Sequence, residues 1–246
     1  MELQKLLSKA RRAAEDYDMI QDGDKIAVGL SGGKDSMTLL YILATMRRFY
    51  PAKYDVVAIS VDMGLGLDEN EVQAVKDVCE KLGVEYVVEP TEIGKIVFDV
   101  RKEPNPCSLC ANMRRGALNS TAKKLGCNKV ALGHHSDDLA ETFLLSLFYE
   151  GRLSAFAPVT RLERAELTVI RPMIYITEKE IIGFAKDKPI IHNPCPADKH
   201  TQRQFIKDTL KSLQKEVPAL KDNILGAILH PERNNLSSFI KPENEE

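Results

Sequence analysis

Residues 31–36 read SGGKDS, directly after the apolar run KIAVGL and before a helix-forming stretch. Only glycine lets backbone N–H groups approach a ligand closely in a tight turn, and the following helix adds partial positive charge at its N-terminus. Strand, glycine turn and helix make an anion-binding nest suited to phosphate. A turn with a good N-cap would account for one glycine and one serine, not for two glycines, a lysine and two hydroxyls together. The spacing is neither a Walker A loop nor the G-x-G-x-x-G dinucleotide fingerprint.

Two further clusters could do chemistry. In NPCSLCANMRRG, Cys107 and Cys110 stand two residues apart, a spacing at which both sulfurs reach one metal. Cys195 lies between two prolines that stiffen its loop and is a third candidate. No second C-x-x-C or closely spaced histidine pair supplies four closed zinc ligands. Three thiolates and an open position suit a [4Fe–4S] cluster with one accessible iron; with a histidine or carboxylate added, the same thiolates would hold zinc. Cys79, in a periodic helix, and Cys127, before a strand, read as buried thiols. The stretch ALGHHSDDLAETFL leaves a strand for a helix and delivers His134, His135, Asp137 and Asp138. Asp137 and Asp138 suit a helix N-terminus electrostatically, and beside a nucleotide they suit Mg²⁺.

The positioning elements follow from periodicity. Strands are expected at 25–30, 55–63, 84–90, 128–133 and 167–173, alternating with amphipathic helices, and Thr177 with Glu180 forms a capping box. The two cysteines fall in a loop before a helix over roughly 109–125. This alternation predicts an α/β, doubly wound, mostly parallel sheet with its ligand crevice at the C-terminal strand ends. The expected organisation is one domain over 1–246: an N-terminal helix (1–22), an α/β core (23–190) and a helical tail (191–246). The 246 residues are 43% hydrophobic and 28% charged, with net charge −2. A nucleic-acid partner would therefore need local basic patches, not a global field. Arg47, Arg48, Arg114, Arg115, Lys123, Lys124 and the first helix's Lys5, Lys9 and Arg12 are the available phosphate contacts. No apolar run is long enough to span a bilayer and no export signal is apparent, so the expectation is a cytoplasmic protein without a membrane partner.

SGGKDS after an apolar strand resembles the PP-loop of the N-type ATP pyrophosphatases, whose fold is adenine nucleotide alpha hydrolase-like. With CSLC…RRG, GHHSDD and the late PC, the chain resembles the tRNA 2-thiocytidine synthetases, iron–sulfur tRNA thiolation enzymes, from about residue 20 to about residue 215. The resemblance implies that Ser31, Gly32, Gly33 and Ser36 hold the pyrophosphate part of ATP. Lys34 would add charge near the phosphates, and Asp35 would help place Mg²⁺ or fix the loop. Asp62 and Met63 fall where the family holds adenine and ribose, and Gly133, Asp137 and Asp138 belong to the same nucleotide site. The resemblance further implies a [4Fe–4S] cluster on Cys107, Cys110 and Cys195, and Asp138 near the adenylation chemistry. Arg114 falls four residues after Cys110, where thiouridine enzymes carry a catalytic lysine and cytidine enzymes an arginine.

The implied reaction is attack of a tRNA pyrimidine C2 oxygen on the α-phosphate of ATP, followed by replacement of that oxygen with sulfur. Sulfide or a cysteine desulfurase would supply the sulfur, and a homodimer is an expectation from resemblance alone. Terminal zinc-binding C-x-x-C pairs, typical of the thiouridine branch, are absent from this sequence. A lysidine-synthetase-type ligase explains the loop but leaves the cysteines idle, and a nucleotide or metal sensor needs no Asp137–Asp138 pair.

Overall fold

A computed structural model describes residues 3–102, 106–191 and 202–235. The chain divides into two compact units, Met1–Ser136 with Ala157–Asp198 and Asp137–Phe156 with Lys199–Glu246.

The first unit carries a six-stranded sheet. Its strands are β1 (Asp24–Gly29), β2 (Tyr54–Asp62), β3 (Glu85–Pro90), β4 (Lys129–Ala131), β5 (Val159–Leu162) and β6 (Leu167–Ile170), in spatial order β3-β2-β1-β4-β6-β5. All neighbours run parallel except β5 against β6. The chain moves outward from β1 through β2 to β3, then returns to place β4 on the other side of β1. The expected doubly wound, mostly parallel sheet is present, and its switch point lies between β1 and β4, where such sheets open a crevice.

Two local departures have clear causes. The strand expected at 167–173 stops at Ile170, because Pro172 has no N–H to continue a ladder and the Arg171 N–H turns to Pro158 O at 3.0 Å. The antiparallel edge β5 was absent from the periodicity reading. Its VTRL sequence is only partly buried, so no apolar alternation marks it.

The sheet is covered on both faces. Ala27, Val57, Ile59 and Val169 meet Leu118 and Ala122 of helix α4 (Pro106–Lys124) in one buried cluster. Ile26 and Val28 alternate with Ala27 along β1 and are fully buried on the opposite face. Helix α2 (Lys34–Met46), packed on β1 and β2, is apolar nearly all round, with Met37, Leu39, Leu40, Ile42, Leu43 and Met46 all at 0% exposure. Such a helix can only be interior. Full burial contributes roughly 1.5–3 kcal/mol for each of these large side chains, which makes α2 a rigid base for the loop before it. Helix α1 (Leu3–Asp16) packs on α2 through Leu6, Leu7, Ala10 and neighbours. Helix α3 (Glu69–Leu82) is capped by Asp68 and closed by left-handed Gly83.

In the second unit, α5 (Ser136–Leu145) passes into a π-helical turn, Ser146–Glu150, ended by Gly151 at φ 63. Helices α7 (Gln202–Leu213) and α8 (Leu220–Leu229) complete it; α6 (Glu178–Ala185) belongs to the first unit and has the expected Thr177–Glu180 capping box. No helix among the described residues is long and apolar enough to cross a membrane.

Candidate nucleotide and cysteine site

The SGGKDS loop joins β1 to α2. Gly32 sits at φ +78, a conformation L side chains rarely adopt, and its carbonyl accepts the Ile191 N–H at 2.9 Å. A Cβ at Gly32 would lie 2.4 Å from Ile191 Cβ, so glycine is required twice over. Gly33 occupies the N-cap of α2 and, having no side chain, does not itself cap the helix's first N–H groups. The Ser36 hydroxyl donates to Gly33 O at 3.1 Å and lies 3.1 Å from Ser31 Oγ, which braces the turn internally. Behind it, the Ser60 hydroxyl donates to Leu30 O at 2.7 Å and accepts from the Tyr86 hydroxyl at 3.0 Å. Gly133 permits β4's exit to approach this helix start: a Cβ there would lie 3.1–3.2 Å from backbone atoms of Asp35 and Ser36.

The charged residues of the loop are engaged. Lys34 Nζ lies 3.0 and 3.1 Å from the two Asp35 oxygens and 3.3 Å from Glu178. The other flank of Asp35 faces buried His135, 3.7 Å from its Nε2. His134 accepts a hydrogen bond from Arg171 Nε at 3.3 Å. Burial lowers the Arg171 pKa, and the nearby positive Arg115 lowers it further.

A pocket of about 340 Å³ opens beside the loop, lined by Ser31, Gly33, Ser60, Asp62, Met63 and Arg114 among others. That volume falls in the range of small-molecule sites. It brings together the glycine turn, the end of β2 and the cysteine helix. Asp62 accepts the Gly64 N–H at 2.8 Å, fixing the turn after β2.

The two cysteines are on a helix and not in a preceding loop. Pro106 is the first residue of α4, a position where its missing N–H costs nothing, so the helix starts before both thiols. Three apart, Cys107 and Cys110 share a helical face; Cys107 is exposed and Cys110 buried. Cys110 Sγ lies 3.5 Å from the Met63 sulfur, and Arg114 follows one turn later. Cys195 lies outside the described residues. It follows Ile191, a pocket-lining residue, by four positions. Among the described residues no three His, Cys, Asp or Glu side chains gather as a metal site. The donor set nonetheless fits an iron–sulfur group: two soft thiols on one helical turn, Cys110 touching pocket-lining Met63, and a third thiol four residues beyond pocket-lining Ile191. Cys79 and Cys127 are buried, and burial raises both thiols, Cys79 to about 11. That agrees with their reading as inert core residues.

In the second unit, the Asp137 carboxylate receives Lys221 Nζ at 2.5 Å. Asp138 lies 3.4 Å from Arg203, which also reaches buried Glu141 at 3.2 Å. Burial raises the Glu141 pKa, and Arg203 opposes that shift. Sequence reading missed Arg203, Lys221 and Glu178, since each meets its partner only through tertiary contact. Several candidate phosphate contacts are committed internally. Arg47 donates to the Leu82 and Gly83 carbonyls at the end of α3 at 2.8 and 2.7 Å; Lys9 binds both Glu180 oxygens; Lys123 pairs with Glu166.

A glycine-turn anion cradle at the switch point of a parallel sheet, with a pocket beside it, defines a nucleotide-binding α/β protein. Residues 3–213 match the PP-loop domain, and the chain belongs to that family. It is 42% identical over 229 residues to the tRNA-cytidine(32) 2-sulfurtransferase of Geobacter sulfurreducens, covering 91% of this chain and 88% of that one. It is 40% identical over 237 residues to the Geobacter metallireducens protein of the same name, covering 94% and 91%. Among solved structures, it is similar to the U34-tRNA thiolase NcsA from Methanococcus maripaludis with its [4Fe-4S] cluster. There the TM-score is 0.74 and the identity 25%, over 99% of this chain and 83% of that chain. An NH3-dependent NAD synthetase from Campylobacter jejuni shares the fold, with a TM-score of 0.50 and 17% identity over all of both chains.

Proposed function

We propose that this protein is an ATP-dependent tRNA sulfurtransferase that activates the C2 oxygen of a cytidine and replaces it with sulfur. The observation that carries the reading is the shared pocket: Ser31 and Gly33 of the loop and Arg114, one turn beyond Cys110, line the same cavity. The family and the relatives of the same name support the substrate class.

A carbonyl oxygen is a poor leaving group. Attack by the C2 oxygen on the ATP α-phosphate forms a new O–P bond, breaks the α–β bridge and releases pyrophosphate, leaving AMP on the oxygen. The N–H groups at the start of α2, the Ser36 hydroxyl and Lys34 would stabilise the charge gathering on pyrophosphate. Asp35 would hold Mg²⁺ against the phosphates, and Met63 and Asp62 would border adenine and ribose. Gly133 lets the strand end lie close to the loop. Arg114 would orient the base, and by the family resemblance Asp137 and Asp138 would serve the adenylation step. Cys107, Cys110 and Cys195 would hold a [4Fe–4S] cluster, which when bound supplies the sulfur that displaces AMP.

Arg48, Arg115 and Lys124 are the basic side chains proposed to meet tRNA phosphates. The test is anaerobically prepared protein given ATP, sulfide and unmodified tRNA transcript. Pyrophosphate release should require the RNA, 2-thiocytidine should appear by mass spectrometry, and RNA affinity should fall steeply with salt. RNA-independent pyrophosphate release without thiolated product would overturn the reading.

A further inference from the structure

The Lys34 ammonium is shared between two carboxylates of different standing. Asp35 is its neighbour in the first turn of α2 and lies about as exposed as Lys34 itself, at 35% and 34% for the side chains. Glu178, 3.3 Å away, is only 18% exposed and belongs to α6. That helix is fixed from three directions. Its capping box joins Thr177 to Glu180, Lys9 of α1 grips both Glu180 oxygens at 2.8 and 2.7 Å, and Phe184 meets Tyr41 of α2 edge to face at 5.5 Å. Glu178 therefore presents its carboxylate from α6, the less exposed of the two, whereas Asp35 stands in the first turn of α2 beside the proposed Mg²⁺ position.

A fixed negative charge beside an anion cradle opposes triphosphate binding. It is explicable by what it does to Lys34. We infer that Glu178 is a positioning residue: it anchors the Lys34 ammonium so that the charge stays directed along the loop when phosphates and Mg²⁺ claim Asp35. The inference rests on the proposed adenylation, in which Lys34 acts on the departing pyrophosphate. A loose ammonium would still attract ATP in the ground state, but would not be preorganised for charge that develops only at the transition state.

The test is a double-mutant cycle of Glu178→Gln and Lys34→Met in the full chain. Calorimetric titration with Mg-ATP gives affinity, and RNA-dependent pyrophosphate release gives turnover. Glu178→Gln should tighten Mg-ATP about threefold and slow turnover about tenfold, with an unchanged melting temperature. The turnover effect should vanish in the Lys34→Met background, whereas the tightening, which comes from removing a repelling charge, should persist and grow once Lys34 no longer neutralises it. Weaker affinity together with slower turnover, a turnover effect that persists without Lys34, or no effect at all would each overturn the anchoring role. If the unmodified protein releases no pyrophosphate with RNA, the sulfurtransferase reading falls. The affinity arm then decides the Glu178–Lys34 coupling alone: a tightening larger in the Lys34→Met background than in the parent supports it, and an equal or smaller one overturns it.

Discussion

The Cys110 thiol rests 3.5 Å from the Met63 sulfur, and Met63 is also a wall of the pocket beside the glycine turn. One side chain thus borders both a proposed metal thiol and the proposed adenine site. Met63 and Cys110 are packed with Ile93 and Val97, at 8% and 9% exposure for the sulfur pair. In metal-free protein, iodoacetamide should alkylate exposed Cys107 well before Cys110. Met63→Ala should expose Cys110 and speed its labelling several-fold, while Mg-ATP should slow it in the unaltered protein. Peptide mass spectrometry reads all three. Equal labelling of Cys110 with and without Met63 would remove the packing relationship.

Gly32 and Gly33 are adjacent but constrained differently. At Gly32 a Cβ meets Ile191 at 2.4 Å and the backbone is left-handed; at Gly33, with φ −75, the nearest atom is Ser31 Oγ at 3.6 Å. Gly32→Ala should cost about 2 kcal/mol from backbone strain and the clash together. That corresponds to a fall of about 4–8 °C in melting temperature for a chain of this size. Gly33→Ala should melt like the parent yet bind Mg-ATP at least several-fold more weakly, because its methyl enters the pocket that Gly33 lines. Calorimetry and thermal unfolding separate the two.

What the sequence disclosed was mostly local. The glycine loop, the strand–helix alternation and the Thr177–Glu180 box all depend on residues within a turn or two of one another, and each is present. The edge strand β5 has no alternation to betray it. The cysteines, expected in a loop, lie on α4 because Pro106 opens that helix ahead of both, at a position where its missing N–H costs nothing. The partners of the proposed carboxylates were hidden by distance along the chain: Arg203 meets Asp138 across 65 positions and Lys221 meets Asp137 across 84. No periodicity carries such a pairing, whereas the charges of α5 taken alone read as a plain helix start.

Glu141 makes the second unit's stability depend on pH in a defined sense. Its side chain is 5% exposed, burial raises its pKa, and Arg203 holds the charged form in place. A carboxyl whose folded pKa is raised binds more protons folded than unfolded, so its unfavourable contribution at neutral pH is relieved as pH falls through the folded value. Arg203→Met removes the main opposing charge and leaves Lys207 as the remaining one. Because Arg203 is 46% exposed, solvent screening trims the cost to about 1–2 kcal/mol at pH 7.5. The gap from the parent should narrow between pH 7.5 and pH 5.5, because losing Arg203 pushes the already raised carboxyl pKa further up in the variant. Urea unfolding at both pH values measures it; a gap that widens in acid would contradict the assignment.

The five cysteines should sort into two groups by metal content. Cys107 and Cys110 share a helical face, with Cys110 against pocket-lining Met63, and Cys195 follows by four residues Ile191, which lines the pocket and bonds the Gly32 carbonyl. Cys79 and Cys127 sit in the core, with burial raising both thiols away from the thiolate form a metal requires. Anaerobic reconstitution should give about four irons and four sulfides per chain. Alanine at 107, 110 or 195 should leave fewer than about one iron and remove the visible absorption, while alanine at 79 or 127 should leave both intact. The same preparations report ATP binding independently, and Cys195→Ala should retain it, since the cradle is built by the glycine turn and α2. Full iron content in Cys195→Ala would break the three-thiolate set and move the third ligand elsewhere in the chain.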